Sequence, residues 1–322
     1  MTSSSRRVIH TGQAMVDLVV EVPRLPPRGG NVMAETATRY AGGSVTIVVA
    51  AARTGAEAVL AGAVGTGPNG DLVREVLAAE GVRASAPPVT DLDTGVCVVL
   101  VEPSAERTFV TTRAAERRIT AESLATSRPA AGDLVCVSGY TLLPPTQGPL
   151  LTWLEALPAG VDVVLDPGAP MATLEASVVE RVLARTTVWT SNAQEARELV
   201  GDPSDTEDNA AASTSSVADL CEAVARRLPE GTVVVVRDGP DGCVVRADGR
   251  TTEVAGFPQT PVDTNGAGDT HTGVLCAEVA GGRDWPEAAR RANAAGAIKV
   301  TRRGPATAPT AAEVDAFLAG RA

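Results

Sequence analysis

The residues best suited to chemistry form a turn of small side chains directly before a helical pattern. They read Val-Asp-Thr-Asn-Gly-Ala-Gly-Asp-Thr over residues 262–270. The first backbone N–H groups of a helix have no partner within the helix, and the helix dipole favours negative charge there. Gly266 and Gly268, with only the Ala267 methyl between them, would let a phosphoryl group approach the backbone closely. The spacing therefore predicts an anion site that needs no lysine.

Asp269 follows this turn and would lie beside the same anion site. A carboxylate repels a neighbouring phosphate, so its presence there suggests a task, and accepting a proton from an attacking hydroxyl is one such task. Taken alone, a Gly-x-Gly-Asp pattern fits a simple helix cap behind a glycine turn better. The role of Asp269 therefore depends on what the rest of the chain provides.

The charge of the chain limits its partners. Its 322 residues carry a net charge of −11, with a pI near 4.8. Nucleic acids and anionic membranes need a basic surface, so neither is an expected partner. The single lysine, Lys299, is followed by Val300, whereas a Walker A loop needs Gly-Lys-Ser or Gly-Lys-Thr. A bound phosphate must therefore be held by local groups such as the 262–270 turn.

Targeting signals and cysteine pairs are missing from the sequence. Residues 1–8 contain two arginines with no apolar stretch after them, and no apolar run approaches the length of a membrane span. We therefore expect a cytoplasmic protein without membrane contact. The five cysteines are scattered singly, and we expect buried, reduced thiols rather than a zinc site or a disulfide framework.

Apolar and amphipathic segments alternate along the chain, which is typical of a sheet covered by helices. Several strand segments are continuous apolar runs, which favours a parallel sheet buried on both faces. The predicted strands are 8–11, 58–64, 134–138, 161–166, 187–191 and 232–237. The predicted helices are 44–54, 70–80, 147–156, 193–200, 216–228, 270–280, 285–300 and 311–319.

Two stretches break this alternation with hairpin-like β segments, at 17–40 and 94–112. Laid over the main sheet they would form a small second sheet, a lid or the contact of a homodimer, since a thin β layer cannot bury both of its faces. We predict one three-layer α/β/α domain over residues 1–322, with lid segments at about 13–40 and 94–116. A polar run at 201–216 is predicted to be a mobile surface loop.

Several motifs together resemble those of the ribokinase (PfkB) family of carbohydrate kinases over nearly the whole chain. The 263–270 run is similar to the family's carboxy-terminal signature, and Ala-Gly-Gly-Ser at 41–44 to its amino-terminal signature. Asn-Ala-Gln-Glu at 192–195 resembles the family's Asn-x-x-Glu motif, and Val-Val-Arg-Asp-Gly at 235–239 its nucleotide-binding strand and loop. Their shared order makes the resemblance more specific than any one motif.

The resemblance implies transfer of the γ-phosphoryl group of ATP to a hydroxyl of a sugar or sugar-like molecule. Asp269 would be the general base, and the N–H groups of Gly266, Ala267 and Gly268 would form the anion hole. The other implied site residues bind the cofactors and the substrate. They are Asn192 and Glu195 for Mg²⁺ through water, Arg237, Gly239, Gly242 and Asn293 for ATP, Asp17, Gly42, Gly43 and Thr46 for the substrate, and Asp263 and Thr264 for a monovalent cation such as K⁺.

Other interpretations stay open within and beyond this family. Thr46 falls where relatives place a substrate-facing Asn, so the acceptor's identity is not determined. A nucleoside kinase of the same fold is the second candidate, and a non-catalytic sugar sensor the third. Residues 65–70 also match the dinucleotide-binding pattern Gly-x-Gly-x-x-Gly. The segment 84–89 that follows contains two prolines instead of a strand ending in an acid, which argues against a dehydrogenase.

Overall fold

The structure, a computed structural model, describes residues 6–104, 106–201 and 215–321. In these residues a nine-stranded sheet has helices on both faces, and four further strands form a smaller sheet. The strands, numbered along the chain, are β1 Arg7–His10, β2 Ala14–Glu21, β3 Thr36–Gly43, β4 Glu57–Leu60, β5 Arg83–Ala84, β6 Val96–Val101, β7 Arg107–Thr111, β8 Leu134–Ser138, β9 Asp162–Asp166, β10 Val188–Asn192, β11 Val233–Arg237, β12 Gly242–Ala247 and β13 Arg250–Ala255. The main sheet has the order β13-β12-β11-β10-β9-β8-β1-β4-β5.

The helices cover the main sheet as the alternating sequence pattern predicts. They are α1 Ser44–Arg53, α2 Pro68–Ala79, α3 Ala121–Ala125, α4 Gln147–Glu155, α5 Ala176–Leu183, α6 Ala193–Val200, α7 Val217–Ala225, α8 Ala267–Ala280, α9 Trp285–Lys299 and α10 Ala311–Ala319. None of them, among the residues described, is long and apolar enough to cross a membrane.

Strand β11 shows why continuous apolar runs suit this sheet. Val233 and Val235 belong to the apolar cluster that includes α1, α8 and α9, whereas Val234 and Val236 belong to the cluster that includes α4, α5 and α7. Successive side chains of a strand point to opposite faces, so both sets are buried. The strand therefore has no solvent face and no polar alternation, as the parallel-sheet prediction assumed.

One edge of the main sheet is antiparallel, which the sequence prediction missed. Strand β12 pairs antiparallel with both β11 and β13. The turn between β12 and β13 contains Asp248 and Gly249, with φ values of +50° and +71°. An Asp-Gly pair with two positive φ angles is a strong hairpin signal. The flanking residues 250–253 are polar and exposed, so this segment lacks the apolar run from which the other strands are predicted.

The smaller sheet has the order β3-β2-β6-β7. Its strands lie in the two segments from which the sequence predicts a second sheet, with β3 continuing to Gly43. One face holds a small apolar cluster of Met15, Cys97 and Val99. The five cysteines of the chain are all free and buried. Most of the polar run at 201–216 lies outside the described residues.

Candidate active site

The carboxyl ends of the central strands face the amino terminus of α8. Strand β9 ends at Asp166, β10 at Asn192 and β11 at Arg237. A Cβ added to Gly268, in the first turn of α8, would lie 3.7 Å from a guanidinium nitrogen of Arg237. Ligands of open α/β sheets bind outside the carboxyl ends of the strands. The anion-binding turn and the strand ends therefore border one cleft.

Helix α8 begins at Ala267, three residues earlier than predicted, and Gly266 is its N-cap. Gly266 has a φ of +77°, in the left-handed region that favours glycine. A Cβ there would lie 2.7 Å from the Pro305 carbonyl oxygen and 3.2 Å from the Thr46 methyl group. Thr46 is 1% exposed, and its Oγ1 has no hydrogen-bond partner in the described chain. Thr46 therefore packs against Gly266 from the protein interior. This position does not suit its predicted contact with substrate.

The turn offers fewer open donors than the sequence predicts. Ala267 donates its N–H to the carbonyl oxygen of Thr264 at 3.2 Å. For the N–H groups of Gly266 and Gly268, the described residues provide no acceptor. These two groups remain available to an anion, and the helix dipole adds to their effect.

Asp269 lies in the first turn of α8 and is partly exposed. Loss of contact with water raises the pKa of Asp269 to about 7, and the Asp166 carboxylate adds to the rise. The Arg237 guanidinium opposes it, Asp17 raises it further, and the Lys299 ammonium lowers it. A carboxyl group with a pKa near neutral can exchange a proton at physiological pH, as a general base must.

Asp17, on β2, is 8% exposed, and desolvation raises its pKa to about 7. A Cβ at Gly42 of the paired strand β3 would overlap this carboxylate. Gly43 has a φ of +61° and ends the strand where α1 begins. The described residues provide no hydrogen-bond donor to Asp17. The glycines thus leave room for a carboxylate whose acceptor capacity is unused.

Arg237 is the central cation of the cleft, with a side chain only 12% exposed. Its guanidinium donates to Thr190 Oγ1 at 2.8 Å and to Thr272 Oγ1 at 3.2 Å. It also lies 3.4 Å from Asp166 Oδ2, which accepts a hydrogen bond from Thr272 at 3.0 Å. The nearest oxygen of Glu195 is 3.9 Å away. These contacts fix the guanidinium between two carboxylates and the anion turn.

Asn192 and Glu195 form a reciprocal cap at the start of α6. The Asn192 side chain accepts from the Glu195 N–H at 2.8 Å, and Glu195 Oε2 accepts from the Asn192 N–H at 2.9 Å. Desolvation raises the pKa of Glu195, and Asp166 raises it further. In the described part of the chain no three His, Cys, Asp or Glu side chains converge as a metal cage. Asn192 and Glu195 are therefore fixed by each other at the carboxyl end of β10.

The other residues predicted to contact the nucleotide differ in their freedom to do so. Gly239 has a φ of +55° and open space around it, and Gly242 has a φ of +112° against the Val254 backbone. Asn293 donates to the carbonyl oxygens of Val254 and Ala255 at 3.1 and 3.2 Å. Its Oδ1 lies 3.1 Å from His271 Nε2. Asn293 therefore ties α9 to β13 and α8, with its side-chain groups already engaged.

The Asp263 loop, predicted to bind a monovalent cation, already contains one. The Lys299 ammonium donates to the Asp263 carbonyl oxygen at 2.8 Å. Burial lowers the pKa of Lys299 to about 8, and the Asp263 charge opposes this change. Thr264 accepts a hydrogen bond from Arg107, on β7 of the smaller sheet. The predicted K⁺ site at Asp263 and Thr264 does not fit this arrangement, because the ammonium lies where the loop carbonyl points.

Three charged residues of the site were not assigned a role from the sequence. Asp166 ends a predicted strand, and a polar residue at that position is a usable signal. Lys299 follows the apolar stretch 294–298 at the end of α9, and a lone lysine after such a stretch indicates a specific partner. Arg107, on β7 of the smaller sheet, reaches the Asp263 loop before α8, a contact between distant segments that no local pattern predicts.

Open helical N–H groups lie beside a carboxyl of raised pKa at the carboxyl ends of a mostly parallel sheet, an arrangement that fits an α/β phosphotransferase. A sequence model described as pfkB family carbohydrate kinase matches residues 5–312. The chain belongs to this family, and it is a carbohydrate kinase.

Relatives of known name match almost the full chain. The uncharacterized sugar kinase YegV of Escherichia coli is 29% identical over 315 residues, which cover 97% of this chain and 94% of that protein. The ATP-dependent ribose-1-phosphate kinase of Halopiger xanaduensis is 28% identical, with coverage of 98% and 99%. The structure of Arabidopsis thaliana ribokinase complexed with ribose and ATP superposes with a TM-score of 0.78, at 24% identity and coverage of 98% and 99%. That similarity confirms the ribokinase fold.

Proposed function

We propose that this kinase transfers the γ-phosphoryl group of ATP to a hydroxyl of a sugar or sugar-like molecule, with Asp269 as general base. The observation that carries the proposal is the position of Asp269, whose pKa is about 7, in the same helical turn as the open N–H groups of Gly266 and Gly268. A base with a pKa near the working pH accepts a proton without being permanently protonated. The two donors can stabilise charge that develops on the transferred group.

The proposed nucleotide site extends from this turn to the ends of β10 and β11. Arg237 would contact phosphate oxygens, and Gly239 leaves open space for the nucleotide. Asn192 and Glu195 would hold Mg²⁺ through water, and the ion would neutralise phosphate charge. Because the transition state of phosphoryl transfer is loose, these residues act mainly by positioning and by electrostatic stabilisation.

The proposed acceptor site is the Asp17 carboxylate beside Gly42. Its two oxygens can accept hydrogen bonds from two neighbouring hydroxyls, which suits the edge of a sugar. The Asp17 charge contributes to the raised pKa of Asp269, so the two carboxyl groups lie within electrostatic range of each other. A hydroxyl next to those bound by Asp17 would therefore be presented to Asp269.

A nucleoside acceptor is the second candidate, and the aromatic content argues against it. The chain has three Phe, three Trp and two Tyr, whereas binding a purine usually needs aromatic faces for stacking. Of these, Tyr40 lies against Gly304, and Phe109 is 54% exposed on β7. Tyr140 is 52% exposed, and desolvation together with the charges of Glu195 and Asp269 raises the pKa of its hydroxyl. A single aromatic ring would hold a nucleobase less well than two rings stacked on its opposite faces.

The test is a set of specificity constants measured with ATP and purified protein. The panel contains ribose, ribose 1-phosphate, fructose, a 2-keto-3-deoxy sugar acid, adenosine and inosine. We expect a sugar or sugar derivative to be preferred. A preference of about tenfold for a nucleoside, roughly 1.4 kcal/mol of transition-state binding, would favour the nucleoside kinase. ATP binding without turnover of any acceptor would favour the sugar sensor.

A further inference from the structure

The chain has one lysine, and the fold buries it completely. Lys299 is 0% exposed at the end of α9. A buried ammonium is costly unless oxygen atoms replace the water that it loses. An apolar residue would fill this position without that cost, so the charge itself needs an explanation. The chain otherwise uses arginine for its basic residues, which makes a compact ammonium here more specific.

The surroundings of the ammonium are those of a small cation site. The nitrogen lies 2.8 Å from the Asp263 carbonyl oxygen and 3.5 Å from that of Arg302. The Asp263 carboxylate, at 4.0 Å, supplies the opposite charge. Two carbonyl oxygens and a carboxylate are hard oxygen ligands, the kind that also surround metal cations of low charge.

These oxygens belong to the segments that hold the anion-binding turn. The Asp263 carboxylate accepts from the Gly304 N–H at 2.9 Å and from the Asn265 N–H at 2.8 Å. The Asp263 N–H donates to the Val300 carbonyl oxygen at 3.0 Å. Gly266, the N-cap of α8, follows three residues after Asp263. A charge that fixes Asp263 therefore also fixes the orientation of the open N–H groups.

We infer that the Lys299 ammonium is a built-in cation, which replaces a dissociable monovalent cation at the Asp263 loop and makes catalysis independent of potassium. Lys299 is a positioning residue, because it acts on the anion-binding turn through the Asp263 loop and touches neither substrate. The inference rests on the proposed function for its kinetic part, whereas its cation-binding part concerns the fold alone.

The first arm of the test uses the natural enzyme at fixed ionic strength in potassium, sodium or choline chloride. We expect rates within about twofold of one another and no potassium-specific change in melting temperature. Activation by potassium of about fivefold or more would overturn the inference, since a site filled by an ammonium cannot take up a second cation.

The second arm compares two substitutions that remove the charge. Lys299→Ala leaves a space lined by oxygens, whereas Lys299→Met fills it with an uncharged chain of similar length. Both should lower kcat more than they raise the KM for ATP. Potassium or ammonium ions should restore Lys299→Ala by about tenfold over choline, and should not restore Lys299→Met.

Melting temperatures separate this inference from the kinase assignment. If the dissociation constant of the cation for Lys299→Ala is about one tenth of the cation concentration, the melting temperature of that variant should rise by about 2 °C. The melting temperature of Lys299→Met should not change. This readout holds whatever the acceptor is. The inference would be overturned if potassium or ammonium ions restored the activity of both variants equally. It would also be overturned if neither ion restored the activity of Lys299→Ala. If neither variant folds, the salt series on the natural enzyme decides.

Discussion

Asp269→Asn should abolish phosphoryl transfer and also stabilise the fold. The Asp269 carboxylate is the proposed proton acceptor, and its negative charge is costly in the folded state. Asn cannot accept the proton, so kcat should fall by about 10²- to 10⁴-fold. Desolvation raises the pKa of Asp269 from 3.8 to about 7, and each unit corresponds to about 1.4 kcal/mol. The ionised side chain therefore costs the folded state up to about 4 kcal/mol, which water in the cleft reduces to about 2 kcal/mol.

The direction of the pH dependence follows from proton binding. Between about pH 4 and pH 7 the folded state keeps a proton on Asp269 that the unfolded state has lost, so stability falls as the pH rises through this window. Asn carries no such cost. Wild type and variant should melt together near pH 4, and the variant should melt about 3 °C higher above pH 7, at about 2.1 cal/mol/K of unfolding entropy per residue.

Asp219→Asn is the matched control, because Asp219 also lies in the first turn of a helix but is exposed at the start of α7. A hydrogen bond from Ser216 lowers the pKa of Asp219. Its replacement should therefore reduce stability above about pH 4 and leave turnover unchanged. Melting curves across pH and a coupled ADP assay measure both effects. Equal melting of Asp269→Asn and wild type at pH 8, or turnover within about tenfold of wild type, would refute the assignment.

Two further predictions concern magnesium and assembly. Glu195→Gln should raise the Mg²⁺ concentration for half-maximal activity by about tenfold while leaving the acceptor KM within about twofold, because its proposed role is in the hydration shell of the ion; an unchanged magnesium titration would contradict that role. The chain should form a homodimer through the smaller sheet, where Val110 is 59% exposed. Val110→Glu should then sediment as a monomer, and a monomeric wild type would contradict the prediction.

Local patterns predicted the parts of the site that one stretch of chain builds. The turn before α8 could be predicted from Gly266, because its φ of +77° and the Pro305 carbonyl oxygen, 2.7 Å from an added Cβ, leave few alternatives to glycine. The cap formed by Asn192 and Glu195 could be read for the same reason, since residues three apart at a helix start satisfy each other. In both cases the information lies within a few consecutive positions.

Contacts between distant segments explain where the structure differs from the predicted site. Thr46 was placed against the substrate by its position in a motif, but α1 packs so closely under Gly266 that the threonine is buried. Asn293 was placed at the nucleotide, yet the β12–β13 hairpin, which the sequence prediction missed, occupies its amide. The K⁺ site at Asp263 was predicted without knowing that Lys299, 36 positions along the chain, reaches it.

The charges of the cleft connect the acidic composition to the proposed catalysis. Four carboxylates, on Asp17, Asp166, Glu195 and Asp269, act on one another there, while Arg237 and Lys299 supply the opposing positive charge. Desolvation and the neighbouring carboxylates outweigh these cations, so the pKa of Asp269 is raised to about 7. ATP would add negative charge to the cleft, and a magnesium ion bound with it would offset that charge only in part. The proposed base would therefore depend on Arg237 and on the open N–H groups of Gly266 and Gly268 to balance the phosphate charge.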